Sequence, residues 1–201
     1  MARPLAEDRD QKRLNILKTS AKVFAEAGIS RASMSEVANA CGVSKGSIYY
    51  YYSSKEALVF DILESYLSTL ENRLLGLEFD GLSADEKLRL FCRETLLSYE
   101  GMDHEHKIQT EGISLLSTGQ QQILKDHQRK IVQQLSDLLQ VLNSQAFQDP
   151  AYLRSSTMAV FGMLNWYFMW NHSAPQDDRL NYADLVADMA HKGVCGLNPT
   201  P

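Results

Sequence analysis

Proline is missing from residues 5–148: the five in the chain are Pro4, Pro150, Pro175, Pro199 and Pro201, and only 11 glycines punctuate 201 residues. A strand-and-turn protein needs far more of both, so the scarcity predicts an all-α chain. Cysteine is scarce too. Cys41, Cys92 and Cys195 are odd in number and far apart, which excludes a disulfide framework and a zinc finger and suits a reducing, cytoplasmic setting. The opening MARPLAEDRD has no apolar signal core. The longest apolar stretch, residues 158–170, is broken by Gly162 and Asn165 and falls short of the roughly 20 residues that span a bilayer. No membrane partner is expected. G-x-S-x-G, a P-loop and a nucleophile–base pair are all lacking, so neither an enzyme nor a cofactor is expected.

What the chain does have is a core. Hydrophobic residues make up 44% and charged residues 22%, globular values that exclude wholesale disorder. The length bounds the chain at one or two domains. The formal charge of −5 divides unevenly: residues 1–60 hold 9 Lys/Arg against 6 Asp/Glu, a net of +3, and residues 61–201 carry −8. That asymmetry fits a small basic module on an acidic body, and equally an ordinary solvated surface. Sequence order has to decide between them.

Leu14, Leu17, Ala21, Phe24 and Ala25 recur at helical spacing, predicting a first helix from near Asp10 that stops at Gly28. Ser33-Met-Ser-Glu36 is a capping box opening a short helix over 34–41. Gly42 supplies a tight turn and Ser44 caps a third helix to about Tyr51. Ser53-Ser-Lys-Glu56 repeats the capping-box logic for a long helix ending near Gly76, and Ser83-Ala-Asp-Glu86 does so again. A short segment around Ile108 and a longer helix through Leu124, Ile131, Leu135 and Leu142 follow. Asp149-Pro150, an N-cap with proline at the first helical position, launches an apolar helix to about His172. Asn181-Tyr-Ala-Asp184 opens the last helix, which stops at Gly193 or Gly196. About nine helices and no strand are expected.

In residues 34–51, Ala38 lets two helices cross closely, Gly42 makes the turn, and Ile48 anchors the second helix, as a helix-turn-helix requires. A plain helical hairpin shares that spacing. The longer run GISRASMSEVANACGVSKGSIYYYYSSKEALV resembles the DNA-binding domain of TetR-type transcriptional regulators. The resemblance rests on the capped second helix, A-x-x-x-G, the V-S-K-G-S-I-Y run and the aromatic-x-S-K-E-x-L entry to the fourth helix. Tyr50 and Tyr52 replace the commoner basic and Phe residues there. It implies a DNA-binding domain over residues 1–54 and an effector-binding and dimerisation domain over 55–201. The third helix would then lie in the major groove, where base pairs are distinguishable. Lys45 and Ser47 can reach base edges or phosphate, Gly46 permits close approach, and Tyr49 can pack on sugar or methyl while bonding phosphate. Ser44 caps that helix. Ser33 and Ser35 either contact the backbone or serve only as caps. Tyr50 faces either DNA or the first helix. Lys55, at a helix N-terminus where amides already favour an anion, is the expected phosphate clamp.

The resemblance further implies a repressor that binds a palindromic operator as a homodimer and leaves it when a small hydrophobic effector binds. The L-N-W-Y-F-M-W run is similar to that of TetR-type regulators responding to acyl- or aromatic-CoA thioesters. Phe91, Thr95, Tyr99, Met102, Phe161 and Asn165 combine apolar bulk with scattered polar groups, as a pocket needs and as plain core also supplies. Arg89, Arg93, Lys125, Arg129 and Lys130 are cations on which an anionic CoA could settle. On the apolar helix, Met158, Phe161, Asn165, Phe168 and His172 share one face. Ala159, Met163, Trp166, Tyr167 and Trp170 share the other, assigned with Leu185, Val186, Met189 and Ala190 of the last helix to a two-fold interface. The rival reading is a metal-dependent helical-bundle enzyme, built on the carboxylate-x-x-His pairs Asp103/His106 and Asp188/His191.

Overall fold

The computed structural model describes residues 3–171 and 173–198; His172, expected near the end of the apolar helix, lies outside them. Among the described residues the chain is all-helical, with nine α-helices, one 3₁₀ turn and no strand. In chain order these are α1 (Arg3–Ala27), α2 (Met34–Ala40), α3 (Lys45–Tyr51), α4 (Lys55–Leu75) and α5 (Ala84–Ser98). There follow α6 (Asp103–Gly112), the 3₁₀ turn Ile113–Leu115, α7 (Thr118–Leu142), α8 (Pro150–Trp170) and α9 (Gln176–Cys195).

The chain packs as two compact units: Met1–Leu67 with His104–Lys125, and Ser68–Asp103 with Asp126–Pro201. Three helices contribute residues to both: α4 and α7 over several turns, and α6 by its first residue, Asp103.

In the first unit, local chemistry sets each boundary. Ser33 Oγ accepts from the Glu36 amide at 3.2 Å while Glu36 Oε2 accepts from the Ser33 amide at 2.6 Å, so the capping box is complete. Gly42, at φ +67, turns the chain between α2 and α3 in the left-handed region that costs glycine nothing. The start of α4 is one residue later than expected, because Ser54, not Ser53, takes the first-turn amide, that of Ala57, at 3.1 Å. The start of α1 is earlier than expected: Pro4 falls in its first turn, where a missing N–H costs no hydrogen bond. Phe24, Val37, Ala38, Ile48, Leu58 and Leu63 are fully buried and form the core. The α6 helix closes on it at Gly112, where an added Cβ would stand 3.0 Å from Leu63 Cδ1 and 3.2 Å from Ile29 Cδ1. Nearby the Tyr66 hydroxyl and His106 Nδ1 share a buried hydrogen bond of 2.9 Å.

The second unit is organised by α5 against α9. Successive contacts pair Asp85 with His191, Arg89 with Asp188, and Arg93 with Asp184. Numbers rising on one helix fall on the other, so the two are antiparallel. Ala183, Ala187 and Ala190 lie buried along α9 and let the helices approach closely. The α9 helix begins at Gln176, five residues before the expected Asn181, with the extended Pro175 before it and Asp177 and Asp178 in its first turn. Those carboxylates favour the positive end of the helix dipole.

Candidate DNA interface and effector domain

The α3 helix is two turns long and buries one of its own residues, Ile48, at 0% exposure. Lys45, Gly46, Ser47, Tyr49 and Tyr50 are all exposed, Tyr50 at 76%. That settles which way Tyr50 points: outward, its ring edge-on to Tyr51 at 5.5 Å between centroids. Ser44 Oγ accepts from the Ser47 amide at 3.0 Å and pairs with Ser47 Oγ at 2.9 Å. One hydroxyl proton of that pair is used between them and the other remains to donate. An added Cβ on Gly46 would meet only Ser44 Oγ, at 3.8 Å, so nothing inside the protein requires glycine there. Ser33 is exposed and Ser35 half-buried. In the capping box the Ser33 hydroxyl accepts from the Glu36 amide. The same cap holds the Glu36 carboxyl below its usual range, through the Ser33 amide and then its hydroxyl.

Lys55 departs from expectation. Its Nζ donates to the carbonyls of Ile29 at 2.7 Å, Ala32 at 3.0 Å and Ser30 at 3.2 Å. Three ammonium protons meet three acceptors, so the side chain is a strut beneath the α1–α2 connection and not a free phosphate clamp. The cause is local: the last residues of that turn leave carbonyls without helical partners, and a lysine at the first position of α4 reaches them.

In the second unit, five of the six expected effector residues come together. The rings of Phe91 and Phe161 meet edge to face with centroids 6.1 Å apart. Tyr99 Oη donates to Asn165 Oδ1 at 2.6 Å, and Thr95 Oγ1 donates to the Phe91 carbonyl at 2.8 Å. Burial pushes the Tyr99 phenol up, so it stays a donor. Met102 is 37% exposed, in the turn after α5, with its amide donating to the Tyr99 carbonyl at 3.1 Å; of the other five, Asn165 is exposed and the rest are buried.

The expected cations are engaged elsewhere. Arg89 and Arg93 pair with Asp188 and Asp184, Arg129 with Asp126, and Lys130 with Glu71; Lys125 Nζ lies 3.4 Å from Gln121 Oε1. Glu71 is buried and held below its ordinary range: burial alone would raise it, and the bonds from Lys130 and His127 outweigh that. A charge with a carboxylate partner is not waiting for a phosphate.

The two faces of α8 are also redrawn. Its buried side carries Thr157, Val160, Phe161, Leu164 and Tyr167. Tyr167, expected at the interface, is 1% exposed. It stacks on Tyr182 at 4.6 Å, meets Trp170 edge-on at 4.9 Å, and lies under Arg179. Met158 and Asn165, expected inward, are exposed. Of the other interface residues, Trp166, Trp170, Leu185 and Met189 are exposed and Met163 is half-buried, whereas Val186 and Ala190 are buried within the chain. Because the helix is apolar nearly all round, its own pattern could not choose the inner face; the aromatic pairing with α9 does.

Sequence reasoning missed Arg179, whose residue is 1% exposed. Its Nε donates to the Ala174 carbonyl at 3.0 Å and its Nη2 lies 3.7 Å from Asp103. It also missed the hub at Asp61, which accepts from both Arg13 and Tyr52. In both cases the partners come from different helices, so no local spacing betrays them. The metal reading loses its ligands in the same way: Asp103 faces Arg179, His106 bonds Tyr66, and Asp188 holds Arg89. Among the described residues no group of three or more His, Cys, Asp or Glu is placed to hold a metal, and no helix is long and apolar enough to cross a membrane.

Comparison with known proteins bears directly on this arrangement. Residues 16–62 match the family model described as bacterial regulatory proteins, tetR family, and residues 81–194 match the Tetracyclin repressor-like C-terminal domain. The HTH-type transcriptional repressor KstR2 of Rhodococcus jostii (strain RHA1) is 31% identical over 109 residues, 53% of this chain and 52% of its own length. The HTH-type transcriptional regulator YerO of Bacillus subtilis (strain 168) is 37% identical over 71 residues, 35% of this chain and 25% of its own. The matched stretch thus spans a quarter to about half of these curated relatives. A TetR-family regulator from Bordetella parapertussis 12822 superposes with a TM-score of 0.83 at 24% identity, covering 89% of this chain and 93% of that one. AibR, solved with isovaleryl coenzyme A and operator DNA, gives 0.74 at 24% identity, covering 89% and 97%. With an exposed two-turn helix on a helix-turn-helix frame, and a second family model matching more than half the chain, the protein belongs to the TetR family of transcriptional regulators.

Proposed function

We propose that the chain is a cytoplasmic homodimeric repressor that binds a palindromic operator through residues 1–54 and releases it when residues 55–201 take up a small effector. The observation that carries this reading is α3 itself: Ile48 holds it from below while Lys45, Gly46, Ser47, Tyr49 and Tyr50 face outward. Ser33, Ser35 and Ser44 add hydroxyls at the starts of α2 and α3, where backbone contacts to DNA would be made. The effector meets Phe91, Thr95, Tyr99, Phe161 and Asn165, a largely apolar cluster, so an apolar ligand or the acyl part of a CoA thioester suits it. The ligand in the AibR structure is of that class. The dimer uses the exposed side of α8 and α9 at Trp166, Trp170, Leu185 and Met189, with Met163 at its margin.

The test uses duplexes enriched by the wild-type protein from a randomised pool. Gly46→Ala should keep its helix content and melting temperature, since the new Cβ meets only Ser44 Oγ. It should bind the enriched duplex about tenfold more weakly, the loss of roughly one contact at the DNA surface. Isovaleryl-CoA or longer acyl-CoA thioesters should release the duplex, with free CoA as the control. Failure to enrich any duplex overturns the reading.

A further inference from the structure

A two-turn helix with one buried residue is fixed at a point but not in rotation, and Ile48 is that point for α3. A groove of about 680 Å³, lined by Arg9, Asp10, Arg13, Tyr50, Tyr51, Tyr52 and Asp61, runs past its C-terminal end. Among the described residues, what ties the helix at that end is the buried Tyr52 ring and a polar hub. Tyr52, the C-cap of α3, buries its ring and donates its hydroxyl to Asp61 Oδ2 of α4 at 2.5 Å. The same carboxylate accepts from Arg13 of α1: Nε lies 3.1 Å from Oδ2, and Nη2 pairs with Oδ1. Asp61 therefore ties α1, α3 and α4 together at the end of the recognition helix opposite its DNA-facing first turn. Burial first, then the neighbouring carboxylate, pushes the Tyr52 phenol up, so it remains a donor.

We infer that the Tyr52–Asp61–Arg13 hub is a positioning device: the Tyr52 hydroxyl sets the angle of α3 and thereby the sequence discrimination of the protein, without touching DNA. Base readout needs side chains held within about 10–20° of their working geometry. Phosphate attraction tolerates far more, because it depends on charge near the backbone and not on register. A change confined to the hub should therefore damage specific binding and spare non-specific binding. The inference rests on the reading of α3 as the DNA reader.

Tyr52→Phe removes one oxygen and leaves the buried ring in place, so the fold survives. Two measurements are made on the full-length variant and the wild type. The first is affinity for the duplex that the wild type enriches from a random pool, beside a scrambled duplex of the same composition. The second is amide hydrogen exchange across residues 45–51 without DNA. The expected result is an enriched-duplex affinity lower by about tenfold, the size of one lost base contact, an unchanged scrambled-duplex affinity and faster exchange confined to α3. The paired variant Arg13→Gln with Asp61→Asn keeps an acceptor for the Tyr52 hydroxyl and should retain most of the discrimination. Equal affinities and equal exchange in Tyr52→Phe and wild type overturn the positioning role. So does a parallel fall on both duplexes with lost helix content, the mark of a merely structural residue. If the wild type enriches no duplex, the DNA reading itself fails; faster exchange confined to α3 in Tyr52→Phe would still show that the hub fixes the helix, and unchanged exchange would overturn that too.

Discussion

At the scale of single residues, long cationic side chains here are used to close the protein's own hydrogen-bond account. Lys55 takes three carbonyls, Arg179 lies buried against a carbonyl and Asp103, and Lys130 pairs with the buried Glu71, which His127 also hydrogen-bonds. The consequence for Lys55 is testable. Lys55→Met keeps the apolar stem and deletes the three bonds, leaving the carbonyls of Ile29, Ser30 and Ala32 without that donor. A hydrogen bond to a charged group is worth about 1.5–3 kcal/mol, and the three share one side chain, so a loss of about 2–3 kcal/mol is expected. Thermal melts should show it as a lowered midpoint. The salt dependence of DNA binding should keep its slope; a phosphate contact would instead flatten that slope by about one unit. A flattened slope with an unchanged melting point would restore Lys55 to the interface.

At the scale of elements, the α5–α9 pair is stapled by charge along one edge. Asp184 is held below the ordinary carboxylate range first by the hydrogen bond from Arg93, and Asp188 first by that from Arg89. A lowered folded-state value means stabilisation that is full above the unfolded value of about 3.9 and lost as pH falls through the folded one. Asp184→Asn should therefore cost about 1 kcal/mol at pH 7, a modest figure because the group is partly exposed. The difference from wild type in urea melts should shrink progressively as pH falls below about 3.9. An unchanged difference across that range would mean that packing alone joins the helices. Element boundaries were largely visible in the sequence because caps are local: Ser33/Glu36, Ser44, Ser83/Glu86 and Asp149-Pro150 all act where the residues predict. The errors came where local signals compete or vanish. Two adjacent serines shifted the start of α4 by one, and Pro175 with two aspartates outranked Asn181 at the start of α9. Partner choice was not visible at all, since Arg89 and Asp188 lie 99 residues apart and Arg13 and Asp61 lie 48 apart.

At the scale of the whole molecule, the proposed operator and effector would meet on one chain in which some helices contribute residues to both units. The α4 helix is unbroken from Lys55 to Leu75, with residues to Leu67 in one unit and those from Ser68 in the other. A dimer reading two half-sites needs its recognition helices about 34–36 Å apart, or a multiple, to enter successive major grooves. A ligand that tilts α4 would change that spacing without breaking any contact between protomers. Shifting the population from 1:99 to 99:1 takes about 10⁴-fold tighter binding to the released state, about 5.5 kcal/mol. At about 25 cal/mol per Å², that is the burial of roughly 220 Å² of apolar ligand surface. The proposed dimer face lies on the exposed side of α8, where Trp166 is 62% exposed while Leu164 and Tyr167 are buried. Effector should therefore lower operator affinity while sedimentation still reports a dimer, whereas Trp166→Glu should give monomers that bind the operator weakly with no effector present. Were effector to produce monomers instead, release would run through the α8–α9 face, and the continuity of α4 would carry no signal.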